Sequence, residues 1–215
     1  MRVDLYATIH KAQRFHMFEL ANAIGCAEPG DGASAAPLAE RVRHMIEHLR
    51  DHARNEETYI HPLFDLAGRN AMSLRRGHAE LEADLQGIEY VLANDGKSLY
   101  AAYTRFLGKY LLHLSEEEDA QKQVLWQRYD DHALEGVLSR FKAERPREKA
   151  TADFEFMLPA LSAPELVQVF RGMNHAVPPT VFDGACERAR QLLGENKWQQ
   201  VASAIALSDD AEGAS

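Results

Sequence analysis

Residues 52–57 read His52-Ala-Arg-Asn-Glu56-Glu57, and residues 113–118 read His113-Leu-Ser-Glu-Glu117-Glu118. The chain thus writes His-x-x-x-Glu-Glu twice. On an α-helix, residues four apart stand one above the other on the same face. Each phrase therefore aims an imidazole and a carboxylate at one point. Two such pairs facing each other would gather nitrogen and carboxylate donors suited to two metal ions that share their carboxylates.

The bulk properties narrow the setting for this chemistry. A chain of 215 residues is one generous domain or a domain with an appendage. The net charge of −9 argues against a nucleic-acid groove or an anionic membrane surface as partner. No apolar run is long enough to span a bilayer, and the N-terminus lacks the apolar stretch of a signal peptide. Cys26 and Cys186 stand alone, without CxxC spacing, which fits a reducing cytoplasm better than a disulfide scaffold or zinc ribbon. The expected location is cytoplasmic. Histidine is the unusual residue: there are ten, and nine fall at or before His132.

Apolar periodicity predicts helices over about 4–24, 34–67, 72–93 and from 98 past Trp126, with Ser34 as a cap for the second. Loops are expected at 26–33 and at Asn94-Asp95-Gly96. The second helix carries an inward seam of Leu38, Val42, Met45, Leu49, His52, Glu56, Tyr59 and Leu63. The fourth carries Leu99, Tyr103, Phe106, Tyr110, His113 and Glu117. The first and third place His10 and His78 on comparable seams. Strand patterns are missing. The expected fold is all-α, an antiparallel up-down-up-down four-helix bundle with a C-terminal helical extension. The expected boundaries are 1–145 for the bundle, 146–207 for the extension after the Arg145-Pro146-Arg147 linker, and 208–215 for a disordered tail.

Histidine and glutamate are poor core residues unless something satisfies them. His10 and His52 stand at similar separations from the first loop, and His78 and His113 from the turn at Asp95. At a rise of ~1.5 Å per residue the mismatches are roughly 2–6 Å. In an up-down-up-down bundle the four histidines then share one layer with Glu56 and Glu117. A lone seam histidine is ordinarily a core residue bonded to a carbonyl or tyrosine, and a lone His-x-x-x-Glu is ordinarily a solvated pair. Four histidines at one height with two carboxylates do not reduce to either. His16, His44, His48 and His61 fall off the layer and are expected at the surface or behind the ligands, and His61-Pro62 reads as a helix end. His132 and His175 have no partner pattern. Glu57 and Glu118 lie one position round from the converging carboxylates and are expected to be solvated or to support them from behind.

A histidine, a His-x-x-x-Glu, a histidine and a His-x-x-x-Glu on four successive helices resemble the hemerythrin-like, or HHE cation-binding, family over about residues 1–130. The resemblance implies a four-helix bundle holding two iron ions with a bridging oxo or hydroxo species. Carried over by position, His10 and His52 would serve one iron, His78 and His113 the other, and Glu56 and Glu117 would bridge. Oxygen-carrying members have a second histidine four residues after the third-helix histidine, where this chain has Glu82. They also have an aspartate five residues after the fourth-helix histidine, a place for which Glu117 at four is the best candidate here and Glu118 at five the alternate. Glu82, one turn from His78, is expected as a further ligand. A third carboxylate would favour ferric iron and disfavour reversible oxygen carriage. The expected function is therefore binding of dioxygen or a related small ligand (peroxide, nitric oxide) in sensing, iron handling or oxidative and nitrosative protection. The resemblance leaves open whether such a centre turns over peroxide or oxygen. Ferritin-like oxidases need Glu-x-x-His and zinc proteases need His-Glu-x-x-His, and neither occurs here. A competing reading makes the protein a regulatory or interaction module whose C-terminal helices bind a protein partner and read out the metal state.

Overall fold

A computed structural model describes residues 2–27, 32–69, 71–94 and 97–212. The turn expected at Asp95-Gly96, residues 28–31 of the expected 26–33 loop and residues 213–215 lie outside the described residues. Among the described residues all regular structure is helical: α1 (Ala7–Cys26), α2 (Gly32–Tyr59), α3 (His61–Leu66), α4 (Met72–Asn94), α5 (Leu99–Ala120), α6 (Trp126–Arg128), α7 (Asp131–Glu144), α8 (Arg147–Met157), α9 (Ala163–Ala176), α10 (Pro179–Leu193) and α11 (Glu195–Glu212). The described residues form two compact units, Met1–Glu144 and Arg145–Ser215. No helix among them is long and apolar enough to cross a membrane.

In the first unit, α1 packs on α2 and α5, and α4 packs on the same two helices. Each seam is apolar at both ends and polar in the middle. Met17, Leu20, Val42, Met45, Leu49, Leu81, Leu85, Tyr103 and Phe106 are buried towards one end. Leu5, Tyr6, Phe64, Ala71, Leu74, Leu125 and Leu134 form a cluster at the other. The layer between them holds the candidate site.

Two local departures from straight helices matter for that layer. The helix expected over 34–67 starts earlier, at Gly32, and stops at Tyr59, with a new turn of helix from His61. Pro62 is the physical reason. It has no N–H to donate back to the preceding turn, and its ring disfavours helical geometry in the residue before it. After Glu117, α5 runs into a five-residue π-turn, Gln121–Leu125. This widened turn buries Gln121, whose Oε1 accepts the Leu5 N–H at 2.8 Å.

The second unit is built on a different core. Ser162 and Glu165 form a capping box at the start of α9. Gly194, at φ 76°, makes the left-handed turn between α10 and α11 that a side chain would oppose. Leu158, Leu161, Leu166, Val167, Phe170, Ala189, Val201 and Ile205 form the core, and every one is apolar. The last helix runs to Glu212, past the start expected for a disordered tail at 208.

Candidate metal centre

α2 presents His52 and Glu56 one turn apart, and α5 presents His113 and Glu117 in the same way. α1 contributes His10 and α4 contributes His78, and all six side chains are buried. Gly77 makes room for one of them. A Cβ at that position would lie 2.6 Å from His113 Nδ1 and 2.8 Å from its Cε1. Close approach of α4 to α5 therefore needs glycine there.

The carboxylates divide their oxygens. Glu56 Oε1 lies 2.9 Å from His52 Nε2 and 3.4 Å from His10 Nε2, while its Oε2 lies 3.2 Å from His78 Nε2. Glu117 Oε1 lies 3.0 Å from His113 Nε2 and 3.1 Å from His78 Nε2, while its Oε2 lies 3.5 Å from His10 Nε2. Each carboxylate thus touches both a His10-side and a His78-side nitrogen. Many of these close pairs are not hydrogen bonds. His52 Nε2, Glu56 Oε2, His113 Nε2 and Glu117 Oε2 are buried without a hydrogen-bond partner. Buried polar atoms left this way are costly, and a cation among them satisfies several at once. The donor set, imidazole with carboxylate, suits iron, zinc or manganese. His10, His52, Glu56 and Glu117 form one candidate cation group, and His78, His113 and Glu117 another.

The second glutamate of each phrase acts on a different helix. Glu118 Oε1 lies 3.0 Å from His10 Nδ1 and accepts from Arg14 at 2.7 Å. Glu57 Oε1 lies 2.9 Å from His78 Nδ1. Each carboxylate fixes a ring so that Nε2 faces the centre, the arrangement that orients metal-binding histidines and raises their basicity. Burial opposes protonation of His10, but Glu118 and then Glu56 outweigh it and raise its pKa to about 9. Burial opposes it for His78 too, and Glu117 and Glu56 raise its pKa to about 10. The His10 contact, followed in importance by Arg14, holds Glu118 down at about 2. Burial pushes Glu56 up, yet His52, His10 and His78 together hold it well below the usual carboxylate range. Tyr6 and Tyr110 flank the centre and stay protonated, because burial, Glu56 and Glu117 all oppose a phenolate.

Glu82 is not in the cluster. Arg50 claims both of its oxygens, Nε to Oε2 and Nη2 to Oε1, each at 2.8 Å. The same guanidinium holds Glu89. Sequence spacing placed Glu82 one turn from His78, but this cation from a neighbouring helix turns it outward. The Arg50–Glu82 pair borders a cavity of about 360 Å³. Leu49, Leu81, Leu85 and Phe106 line that cavity, which reaches His52, His78 and His113.

Of the two places expected for His61, surface or behind the ligands, the structure shows the second: it is fully buried, and its ring stacks on His78 with centroids 5.0 Å apart and planes 19° apart. Burial, then the neighbouring His78, lowers its pKa. The break read from His61-Pro62 is present, with α2 ending at Tyr59 and α3 opening at His61. His44 and His132 are exposed, as a solvated role requires. Cys26 and Cys186 are free thiols.

The hemerythrin HHE cation binding domain is the family model that matches this chain, over residues 1–125. No curated protein and no solved structure matches it significantly.

Proposed function

The chain belongs to the hemerythrin HHE cation-binding family, and from that premise we propose that residues 1–145 are an up-down-up-down four-helix bundle carrying a non-haem di-iron centre. His10 and His52 would hold one iron, His78 and His113 the other, and Glu56 and Glu117 would bridge. The observation that carries this reading is the division of each carboxylate's two oxygens between the two histidine pairs. A carboxylate serving one ion would have no reason to face both.

Bound iron would supply redox capacity and a Lewis-acidic position for a small ligand. The chain's own residues prepare that position. Glu57 and Glu118 hold His78 and His10 in the ligating orientation. The cavity beside it has room for a small molecule, with Leu49, Leu81, Leu85 and Phe106 as its apolar walls and Arg50, Arg54, Arg75, Glu57 and Glu82 as its charged ones. Dioxygen, peroxide or nitric oxide would fit in that space. The expected bias against reversible oxygen carriage rested on Glu82 as a third carboxylate. With Glu82 engaged by Arg50, the proposal rests on the two-carboxylate centre. Sensing, iron handling and oxidative or nitrosative protection are then roles for spectra to separate.

Protein produced with iron should carry about two iron ions per chain, the number a carboxylate-bridged pair requires. Its absorption should change on adding oxygen, peroxide or nitric oxide. A reversible change marks binding, and loss of added peroxide marks turnover. Iron well below one per chain, or unchanged iron in His113→Ala and Glu56→Ala, would sink the proposal.

A further inference from the structure

The cavity beside the centre runs from the surface to the metal layer. Its lining includes the exposed Arg54 and Ala79 as well as the buried His52, Glu56 and His113. It opens between α2 and α4, which are tied together on either side of Ala53 and Ala79. Arg50 on α2 holds Glu82 on α4 at 2.8 Å, and Glu57 on α2 lies 2.9 Å from His78 Nδ1 on α4. The ties are seven residues apart on α2 and four apart on α4. At ~1.5 Å per residue, that is about 10 Å and 6 Å along the helices. Between them Ala53 and Ala79 face the cavity, each with a single methyl group. Arg54, beside Ala53 on the rim, turns its guanidinium along its own helix to Asp51 at 3.1 Å. Three other approaches are covered. Both ends of the bundle seams are apolar and buried. α4 and α5 meet so closely that a Cβ at Gly77 would lie 2.6 Å from the His113 ring. On the α1 side, Glu118 and Arg14 stand over His10.

We propose that the gap between Ala53 and Ala79 is the entrance by which a small ligand reaches the metal pair from water, and that these two methyl groups set its size limit. A solute the size of peroxide passes, and one carrying a ring does not. The rim is charged, so the entrant is water-soluble rather than greasy. The entrance presupposes the two-ion reading above and adds a ligand class to it: compact, hydrated molecules. An entrance acts on rates alone. Narrowing it slows association and dissociation by the same factor and leaves the dissociation constant unchanged, whereas damage to the centre changes the constant.

The test introduces Ala79→Cys together with Cys26→Ser and Cys186→Ser, since both native thiols are free. The ferric, iron-loaded protein is mixed with azide in a stopped-flow spectrometer, before and after the introduced thiol is capped with methyl or benzyl methanethiosulfonate. The expected result is association at least tenfold slower with the benzyl cap and a smaller slowing with the methyl cap. The dissociation constant and the iron content should stay unchanged. Ala83→Cys, exposed on α4 and outside the cavity lining, should bind azide at one rate whether capped or free. Unchanged association with the benzyl cap on Ala79→Cys, or slowing accompanied by a weaker dissociation constant, would overturn the entrance while leaving the two-ion reading intact. A wild-type protein that binds no metal would overturn both. Should the variants fail to fold or to hold iron, zinc-loaded wild-type protein decides through magnetisation transfer from water to its methyl groups. Leu81 and Leu85 are buried but line the cavity, and Leu20 is buried away from it. Transfer to Leu81 and Leu85 well above that to Leu20 is expected, and equal transfer refutes the entrance.

Discussion

The two units place different chemistry at the same depth. In the second, Phe170 sits at the centre, with Trp198, Phe154 and Phe182 packed edge-on at ring separations of 5.2, 5.9 and 6.2 Å. In the first, the central layer holds His10, His52, His61, His78, His113, Glu56 and Glu117. Burying a phenylalanine contributes about 1.5–3 kcal/mol with no further partner needed. A buried polar atom without a hydrogen bond costs about 1–3 kcal/mol, and the first unit has several. One core is complete as a set of side chains, and the other keeps buried polar atoms without a hydrogen-bond partner, which a bound cation would satisfy.

Removing the cations should produce the largest difference between the units. An ion held at a thousand times its dissociation constant stabilises the folded state by about 4 kcal/mol. Treatment with a strong chelator should therefore cut hydrogen-exchange protection in α1, α2, α4 and α5 and leave α8–α11 protected. Equal loss in both units would break the contrast. The complementary substitution is Phe170→Ala, which should cost about 3–5 kcal/mol in denaturant unfolding of the second unit. Its metal content should match wild type.

Glycines give a smaller but sharper comparison. Gly77→Ala puts a methyl against the His113 ring, with no flexible chain end to yield. Overpacking of this kind costs about 1–3 kcal/mol, and the displaced ring should lower metal occupancy as well. Gly172 in α9 has nothing within 4 Å of a built Cβ. Gly172→Ala should stabilise by up to about 1 kcal/mol, the helix-propensity difference. Thermal unfolding and metal analysis read both variants. A neutral Gly77→Ala would mean that His113 is not held where the centre requires it.

What could be read from sequence divides along the same line as locality. His52 over Glu56 and His113 over Glu117 follow from helical spacing alone, because both members lie on one helix. The apolar core of the second unit follows from equally local periodicity. Glu82 failed because spacing puts it near His78 but says nothing of Arg50, which reaches it from another helix. His61 stood open between the surface and a place behind the ligands, because spacing cannot be carried through the break at Pro62, and the tertiary packing against His78 decided it. A supporting place for Glu57 and Glu118 was one of two expected, but their partners, His78 and His10, lie on other helices and could not be counted from spacing. Local rules found the side chains that share a helix, and tertiary contacts decided which of their neighbours work with them.

Those cross-helix carboxylates allow the finest comparison, one substitution made in each unit. Glu118→Gln keeps an acceptor for His10 Nδ1–H but removes the negative charge that makes the ring a better ligand. Metal affinity should fall roughly tenfold or more, the effect typical of losing a carboxylate behind a ligating histidine. Glu155 in the second unit grips Arg188 through both oxygens at 2.7 and 2.9 Å, at the surface. Glu155→Gln removes only an exposed ion pair, worth about 0–1 kcal/mol, and should leave metal affinity untouched. Competition with a chelator of known affinity measures both. If Glu118→Gln binds metal as tightly as wild type, then Glu118 serves Arg14 and the surface, as Glu155 serves Arg188. The second glutamate of the repeated phrase would then have no part in the centre.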